Sequence, residues 1–297
     1  MNYNLLENGT TITHIDISFG NIKTIPILPL KLETLYVDNN FDLEELPRFP
    51  STLRILSICL TGVQELVGLP DTLEELYISE NPGILVDRLP PNLRIFIADL
   101  CELESIPEPL PKGLVVFSVD ANYLEWLPEL PETLETLVAS NNQILQLPSL
   151  PIGLKVLSIQ NNFIKNLPKA LPPTLQDFNC AENYLKRLPW LPELVETFIF
   201  FGNPLIYEFH NKRISPKEYV NKTNKFIYLM SLSTIRNWML RWLYRRFHQA
   251  TYNAIGGLGS GLGLSSSMCS SYGSFASISS IDRWSIAEHP EDEFIFI

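Results

Sequence analysis

An aliphatic residue recurs every 20 or 21 positions through the first two thirds of this 297-residue chain. The residues that start the ten units are Ile12, Leu32, Leu53, Leu73, Leu93, Leu114, Leu134, Leu154, Leu175 and Val195. A unit of this length cannot bury its own apolar face, whereas stacked units share one continuous core. The period therefore predicts a solenoid of ten repeats over residues 12–206, preceded by a lead-in over residues 1–11.

Two patterns inside the unit predict its local structure. Counted from the first aliphatic residue, positions 4 and 6 are apolar, and this alternation predicts a short parallel strand with one buried face. Position 9 is asparagine in seven of the ten units and cysteine in one, at Cys101. Since an amide both donates and accepts hydrogen bonds, we expect this position to satisfy backbone groups that the turn after each strand buries.

The motif Leu-Pro-x-Leu-Pro recurs in the second half of the unit, as in residues 127–131, 147–151 and 188–192. Proline fixes φ near about −65° and donates no backbone hydrogen bond. The motif therefore predicts an extended, polyproline-like convex side rather than a helix. In the third and fourth repeats, Val67 and Asp87 replace the first proline, and we expect a looser convex side there.

Together these motifs resemble the bacterial-effector class of leucine-rich repeats, LPxLPxxLxxLxVxxNxLxx, which includes the YopM and IpaH types. They are also similar to short leucine-rich repeats of amoebae and giant viruses. The resemblance implies a right-handed, curved leucine-rich-repeat solenoid that binds a protein partner. Ligases of this class carry a Cys-x-Asp motif in a further domain. Here Cys180-Ala181-Glu182 comes nearest to that motif, so ligase activity is not implied.

Positions 3, 5, 7 and 8 of each unit are expected to point outward from the concave sheet. Across ten units they include eight acidic residues and no lysine or arginine. Tyrosine and aliphatic side chains between acids are typical of protein-binding surfaces. We therefore predict a concave site for a basic protein segment, formed by Asp16, Tyr36, Asp38, Glu75, Tyr77, Ile97, Asp99, Asp120, Asp177 and Phe201. The alternative is a solvated sheet whose charges only deter aggregation.

The last third of the chain changes in composition. Residues 207–250 carry a net charge of +7 and apolar residues at near-helical spacing, which predicts a basic amphipathic helical segment. Three roles stay open: a cap on the solenoid, a membrane-surface helix over residues 225–250, and a docking helix for a partner. Residues 251–297 include a glycine- and serine-rich stretch at 255–280 and are predicted to be a disordered tail.

Charge and motif content bear on function. The net charge is −11 overall and −14 over residues 1–206, which disfavours nucleic acid as a ligand. The four histidines lack metal-ligand spacing and no catalytic motif occurs, so we predict a protein without enzymatic activity, cofactor or metal. The predicted function is a protein-interaction scaffold. The alternatives are a substrate receptor for a ubiquitin ligase and a peripheral membrane adaptor anchored by residues 225–250.

The cysteines and the N-terminus indicate a compartment. Cys59, Cys101, Cys180 and Cys269 form no close pair, and the first residues show neither the basic start nor the apolar run of a signal peptide. Reducing compartments keep such thiols free. We therefore predict an intracellular, cytoplasmic protein, and the effector resemblance adds the cytoplasm of a host cell as a candidate location.

Overall fold

The structure is a computed structural model that describes residues 12–205 together with residues 217, 218, 220, 221 and 224. The chain divides into two units, Met1–Asn237 and Trp238–Ile297, and every described residue belongs to the first. The predicted lead-in and tail lie outside the described residues.

Ten short strands, one for each repeat, form a single parallel sheet, and two further strands form a small second sheet. The strands are β1 (His14–Asp16), β2 (Thr34–Tyr36), β3 (Ile55–Ser57), β4 (Glu65–Leu66), β5 (Glu75–Tyr77), β6 (Leu85–Val86), β7 (Ile95–Ile97), β8 (Val116–Ser118), β9 (Thr136–Val138), β10 (Val156–Ser158), β11 (Asp177–Asn179) and β12 (Thr197–Ile199). In the large sheet each strand pairs with the equivalent positions of the next repeat. The predicted parallel-strand solenoid is therefore confirmed.

The core consists of the residues at positions 1, 4 and 6, as the alternation predicts. In the inner repeats these side chains are fully buried, and Phe96 and Phe117 stack with ring centroids 6.0 Å apart. Near the C-terminal end of the sheet, Phe178 and Phe198 stack at 5.5 Å. Because each ring lies against the same position of a neighbouring repeat, the repeats bury one another's apolar faces.

Prolines and threonines organise the return to each strand. The carbonyl of the second proline in the motif accepts the N–H of the leucine that starts the next unit, as in Leu134 N to Pro131 O at 3.1 Å. The threonine before that leucine reaches the preceding repeat: Thr133 Oγ1 donates to the carbonyls of Leu114 and Lys112, 2.8 and 2.9 Å away. Side-chain bonds thus join repeats where no strand pairing exists.

The convex side of the third and fourth repeats differs from the looser arrangement expected there. β4 and β6 pair in parallel, Glu65 with Leu85 and Leu66 with Val86, and the Leu85 N–H donates to Gln64 O at 2.8 Å. The proline motif is interrupted here by Val67 and Asp87. Replacing proline returns a backbone donor and frees φ, so the two segments form a short sheet.

The predicted C-terminal segment is described at five residues only, all with helical backbone. Val220 is buried against the solenoid core, and Asn221 Oδ1 accepts the Leu191 N–H at 3.0 Å. The rest of the predicted helix lies outside the described residues, so the helical cap stays a prediction. Among the described residues, no helix combines the length and apolarity that crossing a bilayer requires.

Candidate protein-binding face

The eighth residue of every repeat lies in the left-handed region of backbone space. These residues are Phe19, Asn39, Leu60, Glu80, Leu100, Ala121, Asn141, Asn161, Glu182 and Gly202, with φ between 53° and 70°. Left-handed backbone disfavours bulky side chains, so this conformation was not predicted. Position 8 is asparagine or glycine in four of the ten units, and these residues adopt the left-handed conformation most readily, so they were the available signal in the sequence.

This conformation extends the pairing of the sheet beyond its strands. The N–H at position 8 donates to the carbonyl at position 7 of the next repeat, as in Leu100 N to Asp120 O at 2.9 Å. The same bond joins Glu80 N to Asp99 O at 2.8 Å and Asn141 N to Gln160 O at 2.8 Å. The left-handed turn is therefore held by the neighbouring repeat, and it fixes where the side chains at positions 7 and 8 emerge.

The asparagines at position 9 lie beneath this face and bond backbone groups, as predicted. Asn142 Nδ2 donates to Val119 O of the preceding repeat at 2.9 Å and to Ser140 O at 2.9 Å, while its Oδ1 accepts Leu124 N at 3.0 Å. Equivalent bonds recur from Asn40 to Asn203. Each amide satisfies buried groups of two successive repeats.

Cys101 takes the place of one of these asparagines. Its thiol is fully buried and donates to Ile78 O of the preceding repeat at 3.1 Å. Burial raises the pKa of this thiol to about 11, which keeps it protonated at neutral pH. A buried, protonated thiol with a backbone partner has the structural role that the sequence predicted for it.

Two of the predicted acidic residues hold neighbouring repeats together. Asp99 Oδ1 accepts both the Ser118 hydroxyl and the Asp120 N–H, each at 2.7 Å. Asp38 Oδ1 repeats this arrangement with Ser57 and the Cys59 N–H, again at 2.7 Å each. Burial raises the pKa of the Asp99 carboxyl, and these two hydrogen bonds oppose that shift. Both carboxylates therefore brace the sheet as well as adding charge to its surface.

A second set of predicted residues lies together at the centre of the sheet. The Tyr77 hydroxyl donates to Glu75 Oε2 at 2.8 Å, and Tyr77 pairs in register with Ile97 on the next strand. Burial, followed by the hydrogen bond to Glu75, raises the pKa of Tyr77 to about 12. Asp120 Oδ1 accepts Asn141 Nδ2 at 3.0 Å on the exposed side of the next turn. With Asp99, these residues form the central group of the face.

The remaining predicted residues lie toward the two ends of the sheet. Asp16 pairs in register with Tyr36, whose ring contacts His14 edge-on at 5.6 Å. The Ser18 N–H donates to Asp16 at 3.0 Å and holds the pKa of that carboxyl below its ordinary value. Asp177 on β11 and Phe201 after β12 are exposed at the other end. The ten residues thus lie on strands of one sheet or directly after them, and they fall into three groups.

Apolar residues beside the central group form a stripe that the sequence analysis did not assemble. Ile95, Ile97, Val116, Val138 and Val156 are half-buried at positions 3 and 5 of successive strands. Because the strands pair in register, these side chains run across the sheet in neighbouring rows. We refer to these five residues as the apolar stripe.

Basic side chains occur at the margin of the sheet, at position 2. Lys155 Nζ lies 2.7 Å from Glu135 Oε2 of the preceding repeat, and Arg54 forms an ion pair with Glu74. Lys155 and Arg54 are therefore matched by marginal acids, whereas Arg94, the third cation at position 2, has no ion pair over residues 12–205. The acids of positions 7 and 8 still outnumber this one free cation. Within the described ranges, no group of three or more His, Cys, Asp or Glu residues is arranged to hold a metal ion.

Comparison with known proteins supports the same class of fold. YopM from Yersinia pestis, a leucine-rich effector protein, matches with a TM-score of 0.55 and 30% identity over 64% of this chain. YopM from Yersinia enterocolitica matches with a TM-score of 0.46 and 29% identity over 62%, and a Shigella effector leucine-rich-repeat domain with 0.32 and 26% over 60%. The chain is a leucine-rich-repeat protein that resembles YopM-class effectors.

The matches cover only part of each relative. The aligned region is 49% of the Yersinia enterocolitica protein and 61% of the Yersinia pestis protein. Neither a protein-family model nor a curated protein sequence matches this chain.

Proposed function

We propose that this protein is an interaction scaffold whose concave face binds a basic segment of another protein. The observation that carries the proposal is the charge of the face. Positions 3, 5, 7 and 8 hold eight acids and no lysine or arginine, and two of the three cations at position 2, Arg54 and Lys155, are paired at the margin. Unbalanced acidic potential attracts a basic partner and accelerates its association.

The apolar stripe adds to the charged face an apolar area that a partner can bury. The stripe begins on β7, which pairs with β5, the strand that carries Glu75 and Tyr77. Asp99 and Asp120 follow β7 and β8, two of the strands that carry the stripe. Burying apolar area on binding contributes roughly 25 cal/mol per Å². A partner that presents aliphatic side chains next to lysine or arginine would match both features.

Several carboxylates of the face are already engaged in hydrogen bonds within the protein. Asp38 and Asp99 bond the next repeat, and Glu75 accepts the Tyr77 hydroxyl, so these carboxylates already have protein partners. Their geometry suits recognition by a rigid surface, and the function proposed here is binding.

Paired capture experiments with the full chain test this function. The bait variant is Glu80→Lys/Asp120→Lys, which reverses two surface charges and leaves the bracing carboxylates Asp38 and Asp99 in place. The matched control, Glu129→Lys/Glu132→Lys, makes the same charge change on the exposed convex side. Proteins retained by the wild-type chain and by the control, but lost by the bait variant, would support the concave site. Identical capture by all three baits would contradict it.

A further inference from the structure

A second surface follows the turn after each strand, at positions 10 and 12 of the fifth to ninth repeats. Position 11 between them is in the core, as at Leu124, Ile144 and Ile164, which are fully buried. Side chains on either side of each buried residue therefore point away from the core. The turns are joined by backbone bonds, such as Phe163 N to Ile144 O at 3.0 Å and Tyr184 N to Ile164 O at 2.9 Å.

Position 12 shows an ordered sequence of charges along this edge. From the fifth repeat to the ninth it reads Glu104, Glu125, Leu145, Lys165, Lys186. All five side chains are exposed. The row is therefore acidic at one end, basic at the other and apolar at its midpoint.

Position 10 adds aromatic residues to the same edge. Tyr123, Phe163 and Tyr184 are 49%, 43% and 51% exposed, large fractions for rings of this size. Phe163 and Tyr184 contact each other with centroids 5.9 Å apart, which places the two rings on one continuous surface. We call the residues of positions 10 and 12 in these five repeats the edge strip.

Among residues 12–205, the four charged side chains of position 12 form no ion pair. Over this range, the ion pairs are Lys23 with Asp42, Arg54 with Glu74, Arg88 with Asp71, and Lys155 with Glu135. Exposed aromatic rings next to unpaired charges of both signs are features of association surfaces.

We infer that the edge strip is the interface of a two-fold symmetric homodimer. In an isologous interface each residue meets the position related to it by the two-fold axis, so the surface must complement itself in reverse. An axis in the interface at the seventh repeat places Leu145 against Leu145 of the second copy. It also sets Glu125 opposite Lys165 and Glu104 opposite Lys186 of the second copy, on both sides of the axis.

The central part of the position 10 row follows the same symmetry. The axis that matches the charges sets Tyr123 opposite Phe163 of the second copy, which gives two aromatic pairs, and it sets Tyr184 opposite Glu102 at the ends of the row. Repeats on both copies are spaced by parallel strands about 4.8 Å apart, so rows in opposite directions keep their register over the five repeats. Charge, apolar midpoint and aromatic rings therefore select one occupant, a second copy of this chain in antiparallel orientation.

Charge-swap variants of the full chain test the dimer by sedimentation velocity over a concentration series. Lys165→Glu/Lys186→Glu makes the row wholly acidic, and Glu104→Lys/Glu125→Lys makes it wholly basic. We expect the wild-type chain to dimerise, each variant alone to dimerise at least about tenfold more weakly, and an equal mixture of the two to form heterodimers. The quadruple variant reverses the pattern and should again form homodimers.

Two controls separate loss of the interface from loss of the fold. Lys112→Glu/Lys169→Glu makes the same change in net charge at exposed positions outside the edge strip and should leave dimerisation unchanged. Far-ultraviolet circular dichroism and thermal unfolding of each variant verify folding. A wild-type chain that is monomeric at every concentration would overturn the inference. Dimerisation that persists in both single-sign variants, or a mixture without heterodimers, would overturn it as well.

Discussion

Position 9 of the repeat concentrates several buried backbone bonds on one side chain. Asn142 donates hydrogen bonds to Val119 O and Ser140 O and accepts one from Leu124 N, and these groups belong to two successive repeats. Leaving a buried backbone donor or acceptor without a partner costs about 1–3 kcal/mol, more than the bond contributes when it is present. These asparagines therefore stabilise the solenoid mainly by preventing that penalty.

Asn142→Ala is expected to lower the free energy of unfolding by about 3 kcal/mol, since it leaves backbone groups of both repeats without their hydrogen-bond partner. Denaturant titration followed by circular dichroism measures this change. Asn142→Thr is the matched control, because Thr61 occupies the same position and its hydroxyl donates to Ile58 O at 3.2 Å. The threonine variant should lose less stability, and equal losses in both variants would contradict the account.

Asp99 combines a bracing role with a charge in a partly buried place. Both of its hydrogen bonds go to Oδ1, so an asparagine amide oxygen can replace that acceptor. Because burial raises the pKa of Asp99 in the folded chain, folding favours the protonated form. Ionisation therefore opposes folding. The contribution of this group to stability is fully present below the ordinary aspartate pKa and is lost as pH rises from there through the raised pKa of the folded chain.

Asp99→Asn is therefore expected to be at least as stable as the wild-type chain at pH 7. Asp99→Ala should lower the free energy of unfolding by about 1–2 kcal/mol, because it leaves two hydrogen-bond donors without an acceptor. As pH falls below the pKa of Asp99, any advantage of the asparagine variant should disappear. Unfolding free energies from pH 3 to pH 8 measure both effects. A destabilised asparagine variant whose deficit shrinks as pH falls would contradict this interpretation, because it would show that folding favours the ionised form of Asp99.

At the scale of elements, a strand and a turn differ in what determines them. The strands at positions 3–5 follow from local alternation, since Leu35 and Val37 alternate with outward residues. The left-handed turn at position 8 does not, because Leu60 and Leu100 adopt it against their own preference. Their N–H groups bond the next repeat, so the conformation depends on stacking. A pattern within one repeat cannot reveal that dependence.

The pairing of β4 with β6 gives a test at this scale. The Leu85 side chain is exposed, but its N–H donates to Gln64 O at 2.8 Å. Leu85→Pro should lower the free energy of unfolding by roughly 2 kcal/mol, since it removes this donor from a ladder. Leu85→Ala keeps the donor and should have little effect. Chemical denaturation of both variants checks the prediction, and equal stability of the two would show that the pairing contributes nothing.

For the whole molecule, the sequence predicts how many charges each region holds but not which are free. The predicted concave acids lie on strands of the large sheet or directly after them, because the repeat fixes the row that each position occupies. The bonds of Asp38 and Asp99 to the next repeat were not predicted, since they depend on a serine at position 5 of that repeat and on side-chain geometry. The edge strip was missed because its pattern extends over five repeats.

This division of charges explains why the concave site and the edge strip are separate surfaces. The concave acids present one sign with an apolar stripe beside them, which suits a different, basic partner. The edge strip presents both signs in opposite halves, which suits a second copy. Variants in one surface are therefore expected to leave the other function intact, and each can be measured without the other.

The salt dependence of partner binding tests the central claim most directly. A protein captured by the wild-type chain is purified, and its Kd is measured by titration calorimetry at increasing sodium chloride for the wild-type chain, Glu80→Lys/Asp120→Lys and Glu129→Lys/Glu132→Lys. Screening weakens attraction between surface charges, so wild-type affinity should fall as salt rises. The concave variant should bind at least about tenfold more weakly at low salt and with a shallower salt dependence, while the convex control matches the wild-type chain. Equal affinity and equal salt dependence for all three proteins would contradict a concave site for a basic partner.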